Sequence, residues 1–166
     1  GVTRIPSPNY DDRPAGMPIE LVVVHNISLP PNEFGGGGII DLFMNRLDVH
    51  AHPYYAEIAH LRVSAHFLVR REGELLQFVP CEKRAWHAGV SRWRGRERCN
   101  DFSVGIELEG ADQIPFADVQ YVRLCALLSA LRARYSIVDV TGHSDVAPDR
   151  KTDPGPAFEW SRVKIA

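Results

Sequence analysis

Three side chains stand where strands are expected to end or turn inward, and they are of the types a hydrolytic metal centre uses. His25 follows the β-branched run of "ELVVVHN" (20–26), and His143 follows "VDVTG". Glu107 lies within "FSVGIELEG" (102–110), on the face opposite Val104, Ile106 and Leu108. Side chains at the ends of neighbouring strands can converge and are held there by the sheet. The segment "TGHSDVAPDRKTDPGPAF" (141–158) adds one histidine, three aspartates and a lysine among three prolines and two glycines. That composition suits neither helix nor strand. It reads either as a solvated loop or as one side of a metal site.

A catalytic zinc takes three protein ligands and keeps one position for water. His25 and His143 can supply two. The third is Asp145, Asp149 or Asp153. Asp145 also suits a local turn cap, and Asp153 precedes a Pro-Gly-Pro that stiffens the backbone beyond it. Spacing does not choose among them. Water on such a metal has a pKa near about 7. Glu107 can accept its proton, and Lys151 can stabilise an oxyanion on an attacked carbonyl. The plain alternative is a surface strand residue and a solvated loop charge.

Of the other histidines, His50 and His52 in "HAHP" read as loop, and His66 and His87 as candidates to line a cleft. The basic stretch "SRWRGRER" (91–98) reads as a solvated loop or as a contact for a carboxylate-bearing ligand. Its aromatics are too sparse for a base-stacking platform. No Gly-x-Ser-x-Gly supports a serine triad. "NEFGGGG" lacks the Gly-Lys-Ser/Thr of a phosphate loop.

These groups need a scaffold, and 166 residues suffice for one domain with a proper core, residues 1–166. Apolar residues make up 45% and charged residues 24%, with a net charge of -2. Neither nucleic acid nor an anionic membrane is an expected partner, and no apolar run approaches the roughly 20 residues of a membrane helix. No signal-peptide pattern is read. The three cysteines, Cys81, Cys99 and Cys125, fit neither a disulfide framework nor a zinc motif, which favours a reducing compartment. Residues 1–19 read as an extended lead-in. A strand over 20–26, a helix over 39–47, a hairpin over 65–80 turning at Glu72-Gly73 and a strand over 102–110 follow. The apolar spacing of 118–135 predicts an amphipathic helix, with Asp118 as N-cap and Cys125 in the core. A strand over 137–140 leads into the acidic segment. This order predicts an α/β fold, a mixed central β-sheet flanked by α-helices.

Four stretches together carry a resemblance: "VVHNISLPPNEFGG", "AHPYYAEIAHLRVSAHFLVRREGELLQFVP", "KRAWHAGVSRWRGRERCNDFSVGIELEG" and "TGHSDVAPDRKTDPGPAF". With them the chain closely resembles the AmpD-type N-acetylmuramoyl-L-alanine amidases, of the superfamily shared with phage-lysozyme amidases and peptidoglycan-recognition proteins. The resemblance implies one Zn2+ held by His25, His143 and Asp153, with Glu107 as acid/base and Lys151 as transition-state stabiliser. It implies a 1,6-anhydro-muropeptide substrate, cut between the lactyl carbonyl and L-alanine, and a cytoplasmic enzyme of cell-wall recycling that influences β-lactamase induction. Asn26, Arg62, Trp86, His87 and Arg98 are the expected groove residues, the arginines meeting peptide carboxylates. The expected partner is one small muropeptide, and the chain is expected to act as a monomer. Rival readings are a muropeptide-binding module without activity and an exported amidase acting on intact wall.

Overall fold

The structure is a computed structural model that describes residues 1–163. Its strands are β1 (Thr3–Arg4), β2 (Tyr10–Asp12), β3 (Leu21–Ile27), β4 (Phe67–Val69), β5 (Leu75–Gln77), β6 (Lys83–Ala85), β7 (Arg92–Trp93), β8 (Arg96–Glu97), β9 (Ser103–Glu109) and β10 (Asp139–Gly142). Its α-helices are α1 (Gly38–Phe43), α2 (Pro53–Ile58), α3 (Asp118–Arg134) and α4 (His143–Val146). The main sheet runs β1-β5-β4-β9-β3-β10. Strands β4, β9, β3 and β10 are mutually parallel, while β5 folds back antiparallel on β4. The expected mixed sheet with flanking helices is therefore present.

Parallel strands place their C-terminal ends along one edge, where α/β sheets hold their ligands. The register pairs His25 with Glu107 and Val24 with Gly142. His143 comes directly after β10, so His25, Glu107 and His143 meet at that edge.

Two apolar layers fix the sheet. Val104, Ile106 and Leu108 of β9 pack with Leu124, Leu128 and Leu131 of α3. On the other side, Leu68 and Leu76 pack with Ile39, Leu42 and Phe43 of α1 and Tyr55 of α2. All of β9 is buried, including its polar face. Glu107 is thus no surface strand residue.

Several local expectations change. Helix α3 starts after Ala117, so Asp118 is its first helical residue and not its cap. The Gln120 side chain instead accepts the Ala117 N–H at 2.9 Å. Cys125 is only half-buried, with its Sγ 3.4 Å from the Arg162 carbonyl. Cys81 and Cys99 are the buried thiols, and all three are free. Helix α1 is shorter than expected, ending at Phe43 before Asn45 takes a positive φ of 59°. Strand β10 starts later and runs through Gly142, and α4 occupies the start of the acidic segment. Asp145 makes that possible: its Oδ2 accepts from Thr141 Oγ1 at 2.8 Å and from the Gly142 N–H at 2.9 Å.

The lead-in is part of the sheet system. β1 pairs parallel with β5, and β2 antiparallel with β6. The basic stretch forms the β7–β8 hairpin. Arg92 pairs with Glu97 at 2.9 Å, and Arg96 pairs with Glu20 at 2.6 Å while its guanidinium lies 3.9 Å from the Phe102 ring centroid. Arg96 thus serves the fold, while Arg92 stays exposed. Among the described residues no helix is long and apolar enough to cross a membrane.

Candidate active site

His25, His143 and Asp153 converge. His25 Nδ1 lies 3.0 Å from His143 Nδ1 and 3.1 Å from Asp153 Oδ2, and His143 Nδ1 lies 3.3 Å from the same oxygen. Metal–ligand bonds of about 2.0–2.1 Å in a tetrahedron give ligand–ligand edges of about 3.3–3.4 Å. The trio is within a few tenths of an ångström of that spacing.

The chemistry of the donors also fits a cation. His143 Nε2 lies 3.0 Å from the Ala88 carbonyl, which can only accept. That nitrogen therefore carries the hydrogen, and Nδ1 presents a lone pair. Burial alone would raise the Asp153 pKa, but the neighbouring His143 and His25 outweigh it and hold the carboxyl well below its usual range. A cation among these electron-rich atoms would draw all three together. This is the one group of His, Cys, Asp and Glu side chains among the described residues with such spacing. Asp145 is occupied at the start of α4, and Asp149 is exposed in the turn after it.

Glu107 stands beside the trio. Its Oε1 is 3.6 Å from His25 Nδ1, and its buried Oε2 has no hydrogen-bond partner. Burial, then the charge of Asp153, pushes its pKa well above the ordinary carboxylate value, with Lys151 pulling the other way. A buried carboxyl with a free oxygen and raised basicity is suited to take up a proton.

The loop carrying Lys151 and Asp153 is tied down from both sides. The Ser144 N–H donates to the Asp153 carbonyl and the Lys151 N–H to the Ala147 carbonyl, both at 2.9 Å. Asp112 accepts from Thr152 Oγ1 at 2.5 Å and from Asn26 Nδ2 at 2.7 Å. Sequence reasoning missed Asp112. It sits in an ordinary-looking turn, and only the fold brings it between Asn26 and Thr152.

The groove at the trio is a cavity of about 460 Å³, lined among others by Asn26, Trp86, His87, Glu107 and Lys151. Trp86 is held by a bond from its Nε1 to Asp11 Oδ1 at 3.2 Å. Arg62 is exposed, its Nη1 turned to the carbonyls of Ala59, His60 and Leu61, while its neighbours Leu61 and Val63 line the cavity. Arg98 lines a second cavity of about 460 Å³, and Arg150 borders both. Arg150, not singled out from the sequence, holds the Ala88 and Val90 carbonyls at 3.0 and 2.7 Å.

His87 borders the groove but lies mostly behind it. Its Nδ1 is 2.9 Å from His25 Nε2, and its Nε2 is 3.0 Å from Ser103 Oγ. Burial, then the neighbouring His25, lowers its pKa well below the usual histidine value. His66 is a structural pin: its Nδ1 accepts the Gly105 N–H at 3.0 Å, its Nε2 donates to the Lys83 carbonyl at 2.9 Å, and burial pushes its pKa down to about 3. A Cβ at Gly105 would collide with the His87 ring. Gly105→Ala is therefore expected to destabilise the protein by about 1–3 kcal/mol, the usual cost of overpacking, read as a lowered Tm in thermal unfolding.

Comparison with known proteins gives the chain's relatives. The family model described as N-acetylmuramoyl-L-alanine amidase matches residues 15–156. The chain is 60% identical over 167 residues to the 1,6-anhydro-N-acetylmuramyl-L-alanine amidase AmpD of Escherichia coli K12, covering 99% of this chain and 91% of that protein. It is 49% identical over 162 residues to AmpD of Haemophilus influenzae, covering 96% and 88%. A crystal structure of a selenomethionine AmpD derivative superposes with a TM-score of 0.96 at 60% identity, covering 98% and 92%. The E. coli amidase AmiD, solved with the substrate anhydro-N-acetylmuramic acid-L-Ala-D-γ-Glu-L-Lys, superposes with a TM-score of 0.67 at 33% identity, covering 90% and 58%.

Proposed function

This chain belongs to the N-acetylmuramoyl-L-alanine amidase family and is a hydrolase of that class, and from that premise we propose that it cuts small 1,6-anhydro-muropeptides from cell-wall turnover. The bond is the amide between the lactyl carbonyl of the muramic acid and L-alanine. His25, His143 and Asp153 would hold one zinc. The observation that carries this reading is the meeting of three ligand atoms within 3.3 Å of one another beside a buried carboxyl with a free oxygen.

Zinc bound there would supply Lewis acidity and a water acidified toward neutral pH. The chain's own groups do the rest. Glu107 takes one proton from the attacking water as its oxygen bonds to the carbonyl carbon. Lys151 faces the groove and offsets the negative charge that develops on the carbonyl oxygen. Glu107 then returns the proton to the departing nitrogen as the C–N bond breaks. The products are a lactyl carboxylic acid on the sugar and a peptide with a free amine. All these groups come from one chain, so a monomer suffices. The free cysteines support a reducing, cytoplasmic setting, where turnover would lower the muropeptide level that governs β-lactamase induction.

Mass spectrometry of the products tests the reading. Anhydro-muropeptide is expected to be split into anhydro-muramic acid and free peptide, much faster than intact peptidoglycan. Binding without cleavage, or a preference for intact wall, would overturn it. Arg98 offers a second check, since it lines a cavity that has Arg150 in common with the groove. Arg98→Ala is expected to lower kcat/KM about fivefold for substrates with a free peptide carboxylate, the scale of one exposed ion pair. An amidated analogue should be nearly unaffected; equal losses on both would make Arg98 structural.

A further inference from the structure

Behind the metal trio runs a buried line of polar groups that the reaction leaves unused. His25 Nε2 meets His87 Nδ1 at 2.9 Å, and His87 Nε2 meets Ser103 Oγ at 3.0 Å. All three residues are buried. The His25 and His87 rings stand nearly perpendicular, at 88°, with centroids 5.1 Å apart. The backbone is shaped for this: the His87 ring packs against Gly105 of β9, where any side chain would collide with it.

A neutral imidazole has one donor and one acceptor, so each contact fixes the next. If Nδ1 of His25 holds a metal, its hydrogen must sit on Nε2. That N–H is buried and needs an acceptor, and Nδ1 of His87 is the atom in position. His87 must then carry its own hydrogen on Nε2 and donate it to Ser103 Oγ, a hydroxyl that can accept. We propose that His87 is a positioning residue: a neutral acceptor that fixes the tautomer and ring orientation of His25 so that Nδ1 faces the metal. His143 receives the same support from the Ala88 carbonyl. An uncharged partner suits this place, because a carboxylate there would add a further buried negative charge beside Glu107 and Asp153.

This inference rests on the reading of His25, His143 and Asp153 as zinc ligands. The test uses the whole chain, with zinc affinity measured by competition with a chelator. His87→Leu removes the acceptor at similar volume and is expected to weaken zinc about 10–100-fold, the usual cost of losing a ligand's supporting partner. His87→Asn, whose Oδ1 can stand in for Nδ1, is expected to recover most of that loss. In 15N-histidine-labelled, zinc-loaded unmodified protein, long-range proton–nitrogen spectra are expected to show the hydrogen on Nε2 of both His25 and His87. A hydrogen on Nδ1 of His87 in that sample would overturn the proposal, and this measurement decides alone if the variants do not fold. Folded His87→Leu binding zinc within twofold of the unmodified protein would also overturn it. So would folded His87→Asn as weak as His87→Leu, since packing would then explain the effect. Unmodified protein that binds no zinc would overturn the metal reading, and this one with it.

Discussion

Asp153→Ala is expected to lose zinc and amidase activity together. The substitution deletes one of three converging ligand atoms and leaves two histidine nitrogens 3.0 Å apart. The loss should exceed the roughly 10–100-fold that removal of a mere supporting partner costs. Asp145→Ala is the matched control, an aspartate of the same segment whose carboxylate holds the start of α4. It should keep full zinc and lose only about 1 kcal/mol of stability, the scale of a helix cap. Elemental analysis and kcat on the same preparations decide between them. Zinc lost from Asp145→Ala and kept by Asp153→Ala would exchange their roles.

The pH dependence follows from the same atoms. Protons and metal compete for the histidine nitrogens, so affinity should fall as pH falls. Asp153 stays ionised to lower pH than an ordinary carboxyl, so the histidines set the loss. Burial lowers the His25 pKa below its usual 6.5, so this residue starts to lose metal to protons only below that pH. Chelator competition across the acid range checks both the direction and the window.

What was legible in the sequence was what repeats along it. The β-branched run before His25, the alternation around Glu107 and the apolar spacing of α3 are local patterns. They placed the central strands and the main helix within a few residues. They also placed His25 and His143 at strand ends, which is the reason the two meet. The choice of Asp153 is different in kind. Spacing left Asp145, Asp149 and Asp153 level, and the resemblance chose where geometry along the chain could not. In the fold, Asp145 turns back on Thr141 and Gly142, and Asp149 faces solvent. Only Asp153 comes round to the histidines, through a loop tied to Asp112 and Ser144. Such ties join residues far apart in sequence and leave no periodic trace. The same holds for His87, whose bond to His25 spans 62 positions, and for β1, which reaches across the chain to pair with β5. Arg92 is solvated as its sequence suggests, but Arg96 is not, and the sequence does not show that Glu20 and Phe102 lie beside it.

Glu107→Gln separates proton transfer from metal binding. Glu107 is fixed on β9 by pairing with His25 of β3, and its Oε1 stands 3.6 Å from the His25 nitrogen. Gln keeps nearly the same shape but cannot accept a proton as a carboxylate does. General acid–base help is typically worth about 10²–10⁴-fold, so kcat should fall by about that much while zinc content and KM stay near those of the unmodified protein. A variant as zinc-free as Asp153→Ala would make Glu107 a ligand instead. Full activity with full zinc would move the proton to another group, with Lys151, which lines the groove, the next candidate. Stability gives an independent reading. The folded-state pKa of Glu107 is raised above its unfolded value, so the metal-free folded protein binds this proton more tightly than the unfolded chain. Its stability therefore falls as pH rises from the ordinary carboxylate range to that folded value, and levels off beyond it. Gln carries no such charge, so metal-free Glu107→Gln should be more stable than the unmodified protein at neutral pH, by about 0.5–2 kcal/mol as for other sites that trade stability for function. The difference in Tm should shrink as pH falls toward the ordinary carboxylate range. If both results hold, Glu107 is a carboxyl kept at a cost to the fold, needed for turnover but not for zinc, and its place in the sheet answers to the reaction.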